Sequence, residues 1–112
     1  MKATSLNHVT VSAPDIDASV RFYTELFGLE ELPAPNFGFS VRWLRIGDLQ
    51  IHLFKRAEPA PAYHHLAMMF DDFEAVYRCV KEMGILDTRA FGHHIYSEAA
   101  MCRFTCGTLA AT

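Results

Sequence analysis

The chain has 112 residues, 51% of them hydrophobic and 21% charged, with a formal net charge of −3. That size holds one globular core and not two independent ones. A mildly acidic balance with no Lys/Arg block offers nothing that would recruit nucleic acid or an anionic membrane surface. No run approaches the roughly 20 apolar residues of a membrane span, and the first fifteen residues turn polar at once, so a cytoplasmic protein is expected. The three cysteines, Cys79, Cys102 and Cys106, show no CxxC pair or disulfide framework and are expected to be free thiols.

Leu6 to Ser12 alternates, with Val9 and Val11 on one side and His8, Thr10 and Ser12 on the other. This predicts a strand with one apolar face, from which His8 points away. Pro14-Asp15 marks a helix start with Asp15 as N-cap, and Ile16, Val20, Tyr23, Leu26 and Phe27 fall on one helical stripe. Gly28 is placed to stop it. A short strand over Leu29–Leu32 precedes a proline loop at Pro33-Ala34-Pro35-Asn36. Phe39–Ile46 and Leu49–Lys55 alternate again around Gly47-Asp48, the pattern of a β-hairpin. In its second arm Ile51 and Leu53 share one face, and Gln50, His52 and Phe54 the other.

Glu58–Ala62 is a proline-stiffened linker. Tyr63–Phe70 then predicts a strand with Leu66, Met68 and Phe70 opposite His65, Ala67 and Met69; His64 points with the aliphatic set. A second helix is expected from about Asp72, burying Phe73, Val76, Tyr77, Val80 and Met83 and ending at Gly84. Leu86–Phe91 and His93–Tyr96 are candidate strands, His93 and His94 reading as a solvated strand end. The last sixteen residues carry neither a clean period nor a recognisable turn pattern, so no regular element is expected there.

Two of these segments repeat one another. LNHVTVSAPDIDASVRFYTELFG and YHHLAMMFDDFEAVYRCVKEMG each run from a His through an apolar stretch to an Asp seven residues on, then through a helical pattern to a Gly. The His-to-His offset of 57 residues is half the chain, which signals two copies of one supersecondary unit. Each copy reads as βαβββ. The expected fold is therefore α+β, with two βαβββ modules at about residues 4–57 and 62–112. Their mixed sheets would form a curved cup with the helices outside, the second module being incomplete at its C-terminus.

On that fold His8, His52 and His65 project from separate strands into the concavity. A single strand histidine is ordinarily a satisfied surface residue, but three opposite the apolar parity, two of them equivalent in the repeat, suggest a site. Three neutral imidazoles suit a divalent Zn, Ni, Co, Mn or Fe ion, and three ligands with open positions suit catalysis rather than a purely structural role. Phe37, Phe39, Trp43 and Phe54 are candidate substrate contacts, although Trp43, Phe54 and Phe22 also fit a core role.

The two repeated segments resemble the half-signatures of the vicinal oxygen chelate superfamily, which includes glyoxalase I, bleomycin-resistance proteins, methylmalonyl-CoA epimerase and extradiol dioxygenases. The resemblance covers about Leu6 to Tyr96. It implies metal ligands at His8, His52 and His65, a small oxygenated substrate chelated through two oxygens, and lyase, isomerase or dioxygenase chemistry. The incomplete second module would leave a sheet edge and apolar surface uncovered, so a homodimer in which a like chain covers them is expected. A non-catalytic small-molecule-binding protein or an inactive truncated member is the alternative.

The chain departs from that pattern at its end. The usual fourth ligand is a Glu shortly after an Asp-Pro-x-Gly-Asn turn, and no such turn is present; His52 plus 57 falls at Leu109, and Glu98 lies too early. A one-base offset recovers the turn. Rebuilding each codon after Ser97 from the last base of one codon and the first two of the next makes Met101-Cys102 an obligatory Val. Permitted third bases complete Gly-Ser-Gly-Asp-Val-Gln-Ile-Tyr-Val-Arg-Asp-Pro-Gly-x-Asn. An ordinary divergent tail remains the alternative. Sequencing the gene is expected to show this motif one base out of frame after Tyr96; a gene without it there rules the offset out.

Overall fold

Strands that alternate apolar and polar residues are stable only when the apolar side is covered, and the first half of the chain covers it with its own helix. The computed structural model describes residues 1–58, 66–87, 95–96, 102–103 and 105–106. The chain divides into two units, Met1–His64 and His65–Thr112.

In the first unit, β1 (His8–Ser12), β2 (Glu30–Leu32), β3 (Val41–Ile46) and β4 (Leu49–Phe54) form one sheet in the order β1-β4-β3-β2. β1 is parallel to β4, and the other two pairings are antiparallel. The β3–β4 hairpin closes through Gly47, whose φ of +57° is the left-handed conformation that a two-residue turn demands. A parallel neighbour for β4 requires a crossover, and helix α1 (Ile16–Arg21) forms part of it.

Register decides the faces. Thr10 pairs with His52 and His52 with Trp43, so His8, Gln50, His52, Trp43 and Phe54 lie on one side of the sheet. Leu44, Ile51 and Leu53, at 0%, 1% and 0% exposure, lie on the other side and are the centre of the core. α1 lies against β3 and β4 and buries Ile16, Ser19 and Val20. Asp15 caps it as expected, its Oδ1 accepting from the Ala18 N–H at 3.1 Å.

The first helix departs from the single α-helical stripe. From Phe22 to Leu26 it opens into a π-helical turn, with the Thr24 hydroxyl donating to the Val20 carbonyl at 2.8 Å. A wider turn carries more residues per revolution, which shifts the phase of the inward face. Phe22 and Tyr23 are therefore both buried, whereas Leu26 and Phe27 are only half-buried. Gly28, at φ +74°, ends the helix, and the Leu29 N–H bonds the Tyr23 carbonyl at 3.1 Å. Arg42 ties helix to sheet at the rim, donating to Asp17 at 2.7 Å and pairing with Glu31. With both carboxylates well exposed this network contributes only about 0–1 kcal/mol per pair.

In the second unit α2 spans Phe73–Glu82, capped by Asp72, whose Oδ1 accepts from the Ala75 N–H at 3.1 Å. Val80 is fully buried and Ile85 follows it inward, but Met83 is 46% exposed, against the stripe expected from sequence. Met83 is the C-cap, beyond the last regular turn, so the helical period no longer sets its direction. Among the described residues the unit also holds four two-residue strands: β5 (Leu86–Asp87), β6 (Ile95–Tyr96), β7 (Cys102–Arg103) and β8 (Thr105–Cys106). β5 pairs antiparallel with β8, and β6 with β7.

Two expectations change here. The strand expected over Tyr63–Phe70 is not formed over its described part, residues 66–70, although Leu66, Met68 and Phe70 remain more buried than Ala67 and Met69. Alternation records which side faces inward and does not by itself make a strand. The tail, expected to hold no regular element, contributes β7 and β8, because backbone hydrogen bonds form without any side-chain period. Cys79 is a free thiol. The architecture is α+β, as expected.

Leu53→Ala is expected to lower the unfolding free energy by about 2–5 kcal/mol through the cavity it leaves. Asp15→Ala is expected to cost only about 0.5–2 kcal/mol through loss of the cap. Urea titrations checked for each variant test this ranking, and its reversal would place the core elsewhere.

Candidate functional site

The side of the first sheet opposite α1 collects residues that a core would not choose. β4 stands between β1 and β3, so His52 has His8 toward one neighbouring strand and Trp43 toward the other. The His52 ring stacks on both: its centroid is 4.0 Å from that of His8 at an interplanar angle of 15°, and 4.3 Å from that of Trp43 at 4°. Only 7% of His52 is exposed, whereas His8, on the sheet's edge strand, is exposed.

Hydrogen bonds hold the two rings in place. His52 Nε2 is 2.8 Å from Gln50 Oε1, and His8 Nδ1 is 2.9 Å from Asn7 Oδ1. Burial pushes the His52 imidazole below its ordinary pKa of about 6.5, and the neighbouring His8 lowers it further by like-charge repulsion. His52 is thus held neutral at physiological pH, the form that donates a lone pair.

An aromatic row continues from this pair. Phe37 lies 6.4 Å from Trp43 and 6.0 Å from Phe39, and Phe39 meets Phe54 edge-on at 5.8 Å. Phe37 and Phe39 are 50% and 61% exposed, so this end of the row faces outward. Phe39 itself precedes β3 rather than lying in it. The Trp43 indole N–H is shielded and has no acceptor among the described residues. Since an unpaired buried donor costs about 1–3 kcal/mol, stacking and not its N–H holds the indole there. Of the core-role candidates, Phe22 is buried beside Tyr23 and Phe27, while Trp43 and Phe54 are half-buried on the open face.

The fold places His8 against His52, with Trp43 stacked on His52 and Phe39 against Phe54. His65, with His64, His93 and His94, lies outside the described residues. From sequence Gln50 falls on the His52 face but carries no assigned role, and Asn7 is not singled out. The signal for Gln50 was its place two residues before His52, on the same strand face.

Residues 5–108 match the profile of the Glyoxalase/Bleomycin resistance protein/Dioxygenase superfamily. The chain belongs to this superfamily. It is 31% identical over 97 residues to Glyoxylase I 4 of Arabidopsis thaliana, covering 78% of this chain and 56% of that relative. It is 26% identical over 95 residues to the mitochondrial methylmalonyl-CoA epimerase of Homo sapiens, covering 71% of this chain and 54% of that one. The chain therefore spans about half the length of the curated relatives it matches. The crystal structure of lactoylglutathione lyase from Agrobacterium tumefaciens superposes with a TM-score of 0.65 at 16% identity, over 98% of this chain and 90% of the other. At that identity the likeness is one of fold.

A divalent metal ion, the cofactor that resemblance to the superfamily implies, can be tested against the donors present. Among the described residues no group of three or more His, Cys, Asp or Glu side chains converges. His8 and His52 supply two adjacent imidazoles, and His52 is kept unprotonated by its surroundings. Imidazole nitrogen donors fit a borderline divalent ion. Also among the described residues, no helix is long and apolar enough to cross a membrane.

The depressed pKa has a consequence for stability. Below about pH 6.5 the unfolded chain takes up a proton at His52 that the folded protein resists. The contribution is complete above that pH and is lost as pH falls through the lower, folded-state value. Urea midpoints of metal-free protein between pH 7.5 and 5 are expected to fall less in His52→Gln than in the parent chain. Equal slopes would show that His52 titrates normally.

Proposed function

We propose that this superfamily member binds a divalent metal ion through His8, His52 and His65 and acts on a small oxygenated molecule whose two neighbouring oxygens meet that ion. The observation that carries the proposal is the His8–His52 pair on the open sheet face, with the inner ring sandwiched, hydrogen-bonded and neutral. The relatives named glyoxylase, epimerase and lyase support chemistry of the lyase or isomerase kind, and superfamily membership adds dioxygenase chemistry.

A bound divalent ion would supply Lewis-acid stabilisation of developing negative charge on a substrate oxygen. The protein's own part is to present the His52 imidazole in its neutral form and to hold it against rotation. His52 is fixed by Trp43 on one ring face and His8 on the other, and Phe39 and Phe54 extend apolar surface beside Trp43 for the substrate's carbon skeleton. A homodimer belongs to the same proposal: among the described residues β1 and β2 are edge strands, each with one side unpaired and open to a second copy.

A second reading is favoured by the exposed aromatic row. Phe37 and Phe39 present enough outward ring surface for a non-catalytic protein that binds a flat molecule, as bleomycin-resistance-type binding would require.

Elemental analysis of protein purified without chelators or a histidine tag separates the two. One divalent ion per chain is expected, with retention abolished in His8→Ala and in His65→Ala while the circular dichroism spectrum is kept. If both variants hold a full complement of metal, the ligand assignment fails. A metal-free chain that binds a planar ligand would establish the second reading.

A further inference from the structure

We propose that Gln50 is a positioning residue that fixes which ring nitrogen His52 offers to a metal ion, an inference that rests on the metal reading above. An amide oxygen can only accept a hydrogen bond, so a ring nitrogen 2.8 Å from Gln50 Oε1 must carry the proton. That nitrogen is Nε2. A neutral imidazole has one N–H and one lone pair, which leaves the lone pair of His52 on Nδ1.

The surroundings remove the ring's other freedoms. Trp43 covers one face at 4.3 Å with planes 4° apart, and His8 stacks at 4.0 Å from the opposite neighbouring strand. With the plane so clamped, the remaining choices are the ring flip and the tautomer, and the Gln50 bond decides both. Gln50 is itself well placed for this. It precedes His52 by two residues on β4, hence on the same face, and pairs in register with His8 on β1. On the neighbouring strand the other ring is held through its other nitrogen, Asn7 Oδ1 facing His8 Nδ1 at 2.9 Å. Partners of this kind, behind the direct ligands, typically alter metal affinity about 10–100-fold.

The tautomer can be read without metal, by long-range nitrogen–proton correlation NMR of the imidazole rings. In the metal-free parent chain His52 is expected as the Nε2–H form. Gln50→Leu, which keeps the size but removes the acceptor, is expected to give a mixture of both forms, and Gln50→Glu to restore the single form. Zinc titrations should follow: affinity falls about 10–100-fold in Gln50→Leu and returns in Gln50→Glu. A His52 found as the Nδ1–H form in the parent chain overturns the inference. So does a Gln50→Leu variant with unchanged tautomer, whether zinc affinity stays the same or drops, the latter making Gln50 a ligand in its own right. Failure of the parent chain to bind zinc overturns the metal reading instead, and is told apart because the tautomer is measured in its absence.

Discussion

The parallel pairing of β1 with β4 is the constraint on which the first unit depends. Without it His8 and His52 are two polar residues 44 positions apart in the chain; with it their rings are 4.0 Å apart. The same pairing places Val9 and Val11 beside Ile51 and Leu53, so one set of backbone hydrogen bonds aligns the apolar face and the candidate site together. A slip of one residue in this register would turn the imidazoles toward α1 and the aliphatic residues toward the open face. Core burial therefore polices the geometry of the site: Leu44, Ile51 and Leu53 cannot be packed correctly while His52 is in the wrong place.

Burial on the open face has a different purpose. His52 is as inaccessible as several core residues, yet it lies on the side away from the helix, covered by Trp43 and His8 rather than by aliphatic chains. Stacked rings shield the imidazole from water while leaving polar neighbours in its plane. Shielding disfavours the charged form, and Gln50 in the plane stabilises one neutral form. Both effects prepare a lone-pair donor, and neither requires the metal to be present.

The first helix shows how a local irregularity serves packing. A regular α-helix from Ile16 to Phe27 would direct Tyr23 and Phe27 inward and leave Phe22 at the margin. The π-helical turn brings Phe22 and Tyr23 both inside, where they meet edge-on with a centroid separation of 5.3 Å. The short rings-and-edges cluster with Phe27 closes the end of the core near Gly28. Extra aromatic contact compensates for the poorer hydrogen-bond geometry of the wide turn.

Much of this was legible in the order of residues. Period-two alternation marked β1, β3 and β4 and the side on which His8 and His52 stand, because a pleated strand obliges neighbours to point oppositely. Asp15 as a cap, the second helix start near Asp72, Gly28 and Gly84 as stops, and the Gly47 turn followed from backbone chemistry that acts within four residues. The internal repeat carried the fold class and the resemblance to the superfamily. Tertiary structure decided what depends on distant partners: the β1–β4 register, the π-helical turn, the exposure of Met83, and the absence of a strand over residues 66–70. It also decided the stacking of His52 between Trp43 and His8 and the bond to Gln50. The physical reason is range. A side chain's direction along a strand is set by its immediate neighbours, but its ring partners, its burial and its protonation are set by residues brought near only when the sheet closes.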